Sequence, residues 1–165
     1  MEIDKFPPEI KAALGLDGNN EAITVISNEE KEASIFRVSI APRHPGLGTE
    51  FIAERYIYAS LTPDSHSLLG YRKRPDGFPE DQISIILPKR LPPGEYPFKN
   101  SDMDFPHAYA GHYPNGYSAR SGFIKFTRDD ANQRIEATFE FSIKTDELDY
   151  ELKGKLYLDA TGPFE

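Results

Sequence analysis

The sequence contains no cysteine and no tryptophan, and only 2 of its 165 residues are methionine. Without cysteine the chain has no disulfide framework, no thiolate metal site and no cysteine nucleophile. The lack of tryptophan removes the largest aromatic platform on which a sugar could stack. A domain of about 150 residues buries roughly 70% of its unfolded surface, so a chain of this length can be stable without covalent cross-links.

Long apolar runs are also missing, because no window approaches 18 apolar residues, and this excludes a membrane-spanning helix. Residues 1–5 are polar and acidic and show neither the apolar region of a signal peptide nor a lipid-accepting cysteine. A cytoplasmic location is therefore the default expectation. A secreted or periplasmic location would follow if a signal peptide has been removed.

Catalytic motifs are absent: the chain has no GxSxG, HExxH, P-loop or GxGxxG pattern. The sequence therefore predicts that the protein is not an enzyme and needs no cofactor. One alternative stays open, because a glycosidase-like pair of carboxylates is defined by a separation in space that the sequence does not show.

The charge is strongly acidic, with 27 acidic and 19 basic residues and a formal net charge of −8. Nucleic acids and anionic membranes bind basic surfaces, so neither is an expected partner. Residues 35–101 reverse the trend, with 9 basic and 7 acidic residues, and residues 72–79 contain the only concentrated positive charge. This loop could hold an anionic ligand, although a solvated loop tip is the plainer interpretation.

The C-terminal third shows the clearest pattern, three runs in which apolar and polar residues alternate. The apolar positions are Gly122, Ile124 and Phe126 in the first run, Ile135, Ala137, Phe139, Phe141 and Ile143 in the second, and Leu152, Leu156 and Leu158 in the third. Successive strand side chains point to opposite faces, so each run has one apolar face and one polar face. Joined by polar turns, residues 121–158 predict an antiparallel meander that covers a core.

The preceding residues predict further strands and a short helix. Pro7 and Pro8 precede Ile10, Ala13 and Leu14 at helical spacing, and Gly15 ends the pattern. Strands are expected near residues 23–26, 36–40, 51–61, 68–74, 83–87 and 95–98, with Pro97 placing the last at an edge. We therefore predict one all-β domain over residues 1–165: an arm with a short helix at 1–20, and at 21–160 an antiparallel β-sandwich or partly closed barrel of about eight to ten strands.

Residues 100–118 separate two well-patterned halves and predict a long loop, a kind of segment that is often functional. Tyr109, His112, Tyr113 and Tyr117 place aromatic rings in and around this loop and are the candidate ligand-binding residues. Aromatic faces stack on sugars or bases and offer a polar tip for hydrogen bonding. Tyrosines are also common strand residues that pack across a sheet, and this interpretation stays open.

A metal site is not expected. Asp102 and Asp104 have the spacing that begins a calcium loop, but the glycine of the sharp turn and the closing glutamate are missing. Aspartate also starts turns by binding its own backbone, which is the preferred interpretation. His107 and His112 are five residues apart, so on a regular strand they would face opposite ways.

The second half of the chain resembles a group of small, uncharacterised bacterial β-sandwich proteins, many of them lipoproteins. The matching segments are 83–87 (ISIIL), 93–96 (PGEY), 121–126 (SGFIKF), 134–141 (RIEATFEF) and 152–156 (LKGKL). Ala137 stands where that group usually has glycine, and the lipoprotein signal with its cysteine is absent. The resemblance covers residues 83–158, under half of the chain. It implies a sandwich fold and no functional residues.

These observations favour a non-enzymatic binding or interaction module whose ligand surface is the tyrosine-rich loop 100–118, with Tyr56 and Tyr58 as neighbours. One alternative is a carbohydrate-binding or carbohydrate-acting sandwich, which would show a concave face lined with tyrosine and paired carboxylates. Another is a small-molecule carrier barrel, which would enclose an apolar cavity of about 300 Å³ or more. A protein partner, including a second copy bound through an unpaired sheet edge, is the remaining alternative.

Overall fold

A computed structural model describes residues 34–76, 79–145 and 148–164. The short N-terminal helix and the strand near residues 23–26 lie outside these ranges. The described residues form eleven strands: β1 (Ile35–His44), β2 (Gly48–Ile52), β3 (Arg55–Thr62), β4 (Ser65–Arg72), β5 (Asp81–Pro88), β6 (Gly94–Pro97), β7 (His107–His112), β8 (Asn115–Ser118), β9 (Ser121–Asp129), β10 (Arg134–Thr145) and β11 (Leu148–Asp159).

All strand pairs are antiparallel, and the strands form two sheets. The first sheet has six strands in the order β2-β1-β11-β10-β9-β6, and the second has five in the order β3-β4-β5-β7-β8. The predicted two-sheet, all-β architecture is confirmed, and the predicted meander is β9, β10 and β11. No helix in the described part of the chain is long and apolar enough to cross a membrane.

One continuous apolar cluster lies between the sheets and takes side chains from both. Val38, Phe126 and Leu156 come from the six-stranded sheet, and Tyr58 and Ile83 from the five-stranded sheet. The alternation of apolar and polar residues explains this arrangement, since β10 buries every second residue from Ile135 to Ile143 and leaves those between them exposed or partly exposed. The shared core holds both sheets in one sandwich.

The strand expected over residues 51–61 has apolar residues on both faces, and the structure divides it into β2 and β3. Residues 56–60 are all buried. Tyr56 and Tyr58 belong to the central core, while Ile57 and Ala59 join Leu69 in a second cluster. This stretch is therefore buried on both of its faces.

Two predictions about the strands were wrong. Residues 100–118 are not one long loop, because β7 and β8 occupy most of them and pair with each other, and β7 also pairs with β5. These two strands raise the count to eleven, above the expected eight to ten. The pairing satisfies backbone groups that a loop would leave to water, and the small Ala108 and Ala110 fill the inward positions of β7.

The sheet edges are mostly short or covered. The edge strands β6 and β8 have four residues each, and β6 ends at Pro97, as expected for an edge. Along the free edge of β3, the tail after β11 adds backbone hydrogen bonds from Thr161 N to Tyr58 O and from Ser60 N to Pro163 O, at 3.0 and 2.8 Å. Covered and short edges limit pairing with other chains.

Candidate functional site

A charged cleft of about 530 Å³ lies at the end of the sandwich where the β1–β2 and β4–β5 turns meet the end of β7. Four cationic side chains line it, together with three carboxylates and one histidine: Arg43, Arg72, Lys73, Arg74, Glu54, Asp76, Asp81 and His112. We call this feature the charged cleft. It brings the basic loop noted in the sequence together with one of the four predicted ligand-binding residues, His112.

Asp81 is the buried centre of the site, and its side chain is only 3% exposed. Its Oδ2 accepts a hydrogen bond from Arg72 Nη2 at 2.6 Å, and its Oδ1 lies 2.6 Å from His112 Nδ1. Antiparallel register explains the contacts, since Arg72 pairs with Asp81 across β4 and β5, and Gly111 pairs with Gln82 across β7 and β5. A carboxylate that is paired on both oxygens can remain in a buried position.

Arg72 is fixed in place by more than Asp81. Its Nη1 donates to Glu50 O at 2.7 Å, its Nη2 also donates to Leu47 O at 3.1 Å, and its guanidinium lies 5.1 Å from the centre of the Phe51 ring. This guanidinium therefore joins the β1–β2 hairpin to the β4–β5 hairpin. Its role is to hold the wall of the cleft, because its donors are largely taken by the protein.

The turn between β1 and β2 is shaped by His44 and by Gly46. His44 Nδ1 accepts hydrogen bonds from the backbone N–H groups of Gly46 and Leu47, both at 3.0 Å, and its ring packs edge-on against Tyr150 and Tyr117. Gly46 lies directly against the His112 ring, so a Cβ at this position would overlap it. Glycine at 46 therefore allows the turn to close on His112.

His44 is held in its neutral form. Burial, the largest cause, and the nearby charge of His112 lower its pKa from the ordinary value of 6.5, while Asp81 opposes this. A proton on Nδ1 would also break both backbone hydrogen bonds. The folded state therefore binds this proton less readily than the unfolded state. The contribution of His44 to the free energy of unfolding is fully present above pH 6.5 and falls as the pH drops toward the folded-state pKa.

We therefore expect a His44→Asn variant to lose less stability than the wild type between pH 7.5 and pH 5.0. Asparagine keeps an oxygen that can accept from the Gly46 and Leu47 N–H groups, and it does not titrate. Urea denaturation followed by circular dichroism at the two pH values gives the comparison. Equal losses in the two proteins would show that His44 does not contribute to the acid sensitivity.

Two cations of the charged cleft, Arg43 and Lys73, make no ion pair with any residue in the described ranges. Both are exposed. Arg74, by contrast, donates to Asp76 Oδ2 at 2.8 Å and to the Tyr113 carbonyl at 2.7 Å. The ion pairs of Arg72 and Arg74 neutralise Asp81 and Asp76. The remaining cations outnumber the one remaining carboxylate, Glu54, so the cleft is locally basic in an acidic protein.

The four predicted ligand-binding residues do not lie on one surface. His112 lines the charged cleft, and the exposed Tyr113 reaches its rim through the carbonyl that binds Arg74. Tyr109 and Tyr117 instead line a separate groove of about 330 Å³ along β7 and β8, with Gln82, Ser84 and Ser118. The Tyr109 hydroxyl is 3.3 Å from His107 Nδ1.

The acidic pair near the start of the 100–118 region forms a turn, as preferred from the sequence. Asp102 Oδ1 accepts a hydrogen bond from Asp104 N at 2.9 Å, and the Asp102 carbonyl lies 2.9 Å from His107 Nε2. Across the described residues, no group of three or more His, Cys, Asp and Glu side chains is arranged to hold a metal ion. His107 and His112 do face opposite sides of β7, since His112 joins the inward Asp81 and His107 packs beside Tyr109 on the other side.

The chain matches no protein-family model, and neither curated proteins nor solved structures give a match. The resemblance to bacterial β-sandwich proteins therefore stays a prediction. The structure defines a two-sheet β-sandwich with a basic, partly buried polar site at one end.

Proposed function

We propose that this protein is a binding module that holds a small ligand with a carboxylate or phosphate group in the charged cleft. The observation that carries the proposal is the buried Asp81, which fixes Arg72 and His112 beside the two unpaired cations Arg43 and Lys73. Positioned cationic groups bind carboxylate and phosphate through charge-assisted hydrogen bonds. Fixing them in advance lowers the entropic cost of binding.

The shape of the cleft suits a small molecule. Its volume of about 530 Å³ lies within the range of small-molecule sites, roughly 300–1,000 Å³. Because His112 Nδ1 is hydrogen-bonded to Asp81, Nε2 is the ring nitrogen that a ligand in the cleft can reach. Arg43 and Lys73 supply flexible charges at the mouth. The site therefore combines a rigid inner wall with adjustable outer cations.

The test is a titration with two probes, citrate for carboxylate and inorganic phosphate for phosphate, followed by NMR signals of the His112 ring. We expect saturable shifts with at least one probe, and the difference between the probes identifies the preferred group. The double variant Arg43→Gln/Lys73→Gln should weaken binding about tenfold, which corresponds to about 1.4 kcal/mol. Unchanged affinity in this variant would argue against the proposal.

A matched control has the same change in net charge elsewhere. Lys125 and Lys155 are exposed on β9 and β11, away from the charged cleft. The variant Lys125→Gln/Lys155→Gln should bind within about a factor of two of the wild type, because exposed charges beyond a Debye length of about 8 Å are largely screened. An equal loss in both double variants would indicate a general charge effect instead of a site.

The carbohydrate alternative has its own surface, the groove that contains Tyr109 and Tyr117 beside three polar side chains. No carboxylate pair lines this groove, so it would support sugar binding without hydrolysis. A Tyr109→Ala variant separates the two sites. It should leave citrate and phosphate binding unchanged, whereas a sugar held in the groove would lose the aromatic face on which it stacks.

The carrier alternative requires an enclosed apolar cavity, whereas the charged cleft and the tyrosine groove are open to solvent. A partner chain bound along a sheet edge would have to use a short edge strand or displace the tail from β3. These features favour binding of a small ligand in the charged cleft over a carrier function or a partner chain at a sheet edge.

A further inference from the structure

Three polar side chains project into the sandwich at the end opposite the charged cleft. Ser60 and His66 come from β3 and β4 of the five-stranded sheet and are 6% and 8% exposed. Arg128 comes from β9 of the six-stranded sheet, and its side chain is 10% exposed. We call these three residues the inner polar cluster.

The inner polar cluster contains four buried atoms without a hydrogen-bond partner in the part of the chain that the structure describes: Ser60 Oγ, His66 Nδ1, Arg128 Nε and Arg128 Nη1. Arg128 Nη2 does donate to Leu91 O at 3.1 Å. Its Nε lies 3.7 Å from Asp130 Oδ1, which is an ion pair but too long for a hydrogen bond. Buried polar atoms in proteins almost always have a partner, so several unpaired atoms at one place call for an explanation.

Aromatic rings and the tail close this end of the sandwich. The His66 ring lies 5.9 Å from the Tyr58 ring and 4.9 Å from Phe164, and Phe164 is also 4.9 Å from Tyr58. The tail that carries Phe164 is tied to β3 by the backbone hydrogen bonds of Thr161 and Pro163. The unpaired atoms therefore lie behind an apolar wall and out of contact with solvent.

Charged groups lie near the inner polar cluster. Burial, the largest cause, together with the charges of Arg128 and Lys89, lowers the pKa of His66 to about 4, while Asp130 opposes them. His66 is therefore neutral near pH 7. Burial also raises the pKa of Tyr58 to about 12, which keeps its hydroxyl protonated. Among the described residues the one ion pair of Arg128 is the long contact with Asp130, whose side chain is 82% exposed, so a buried negative charge would give the guanidinium a closer counter-charge.

We propose that Ser60, His66 and Arg128 form an internal binding site for one compact monovalent anion, of the halide class. Two guanidinium nitrogens without a hydrogen-bond partner, a hydroxyl that can turn its proton inward and an imidazole nitrogen able to carry a proton all suit an anionic acceptor. The unpaired atoms are out of contact with solvent beside the rings of Tyr58 and Phe164, which favours a small ion over an organic anion. This site is separate from the charged cleft and does not depend on it.

The direct test is a crystal of the full chain grown in sodium bromide, with anomalous data collected at the bromine edge. We expect an anomalous peak within hydrogen-bond distance of Arg128 Nε or Nη1. Ser60→Ala should lower the height of this peak. Ser67→Ala should not, and it is a matched control because Ser67 is also a buried serine, on neighbouring β4, and lies outside the inner polar cluster. Density without anomalous signal would mean ordered water only and would overturn the proposal.

A solution measurement avoids dependence on crystals. Thermal unfolding is followed against bromide at constant ionic strength, with sodium gluconate as the balancing salt. The Arg43→Gln/Lys73→Gln variant serves as background so that the charged cleft does not contribute. Binding to the folded state should raise Tm saturably, by about 3 °C or more, and adding Ser60→Ala should shift the response to higher bromide. No saturable rise, or the same response with and without Ser60→Ala, would count against an anion site.

Discussion

Replacement of Asp81 with alanine is expected to lower the free energy of unfolding by about 3 to 5 kcal/mol. Asp81 is 2% exposed and binds Arg72 and His112 through its two carboxylate oxygens. Removing the carboxylate leaves the guanidinium of Arg72 partly buried without its counter-charge and leaves His112 Nδ1 without its partner. The loss of a buried ion pair from one side costs more than the pair itself contributes, because the remaining charge is still desolvated. Urea denaturation measures the effect.

Asp104 provides the matched control, since it also pairs with an arginine, Arg90, but both side chains are more than half exposed. Asp104→Ala should change the free energy of unfolding by no more than about 1 kcal/mol. A larger loss of stability in Asp81→Ala than in Asp104→Ala would show that burial of the ion pair causes the difference. If Asp81→Ala also cost less than about 1 kcal/mol, water or a rearranged side chain would have to replace the carboxylate, and the rigid inner wall assigned to the charged cleft would be incorrect.

Much of the fold could be predicted because its strongest signals are local. In β10 the alternation runs from Ile135 to Ile143 without a break, and its neighbours β9 and β11 lie directly before and after it in the chain. Register between such strands is set by the requirement that one face be buried. Pro97 likewise marks an edge strand by its own chemistry, because it lacks a backbone donor.

The missed strands β7 and β8 had no such local signal. Their inward residues Ala108 and Ala110 are small, and glycine, histidine and proline interrupt the apolar pattern on either side. What makes β7 a strand is its pairing with β5, more than 20 residues earlier in the chain. Pairing with a strand at that distance overrides a weak local preference for the strand conformation, and the sequence pattern does not identify which strand will pair with β7.

The candidate site was only partly predictable for the same reason. The basic loop at residues 72–79 and His112 each stood out, but as separate features. They meet because β4, β5 and β7 are adjacent in one sheet, with a register that places Arg72 and His112 on either side of Asp81. One local signal does exist: Asp81 shares the parity of Ile83, Ile85 and Leu87, and a carboxylate on an apolar face indicates a buried partner.

The second large effect is expected at Gly122, where alanine should destabilise the fold by about 3 kcal/mol or more. Gly122 begins the core side of β9 with a φ of 132°, a conformation that L-residues rarely adopt. A Cβ there would overlap the carbonyl oxygen of Glu140 and approach Phe141 Cα to 2.6 Å. Both are backbone atoms of the paired strand β10, so no side-chain rotation relieves the overlap. Urea denaturation of Gly122→Ala, followed by circular dichroism, gives the loss.

Gly116→Ala is the control that separates the positive φ and the Cβ overlap at Gly122 from the general effect of replacing a glycine. A Cβ at Gly116 meets nothing within 4 Å, and its φ lies outside the region that favours glycine. Gly116→Ala should therefore stay within about 1 kcal/mol of the wild type, with a small gain from the less flexible unfolded chain. The Gly122 carbonyl also accepts a hydrogen bond from Phe98 N at 3.0 Å, so a shifted β9 would loosen the segment that follows β6. A Gly122→Ala protein as stable as Gly116→Ala would show that β9 can move away from Glu140 at little cost, and the close approach of the two strands would not be a requirement of the fold.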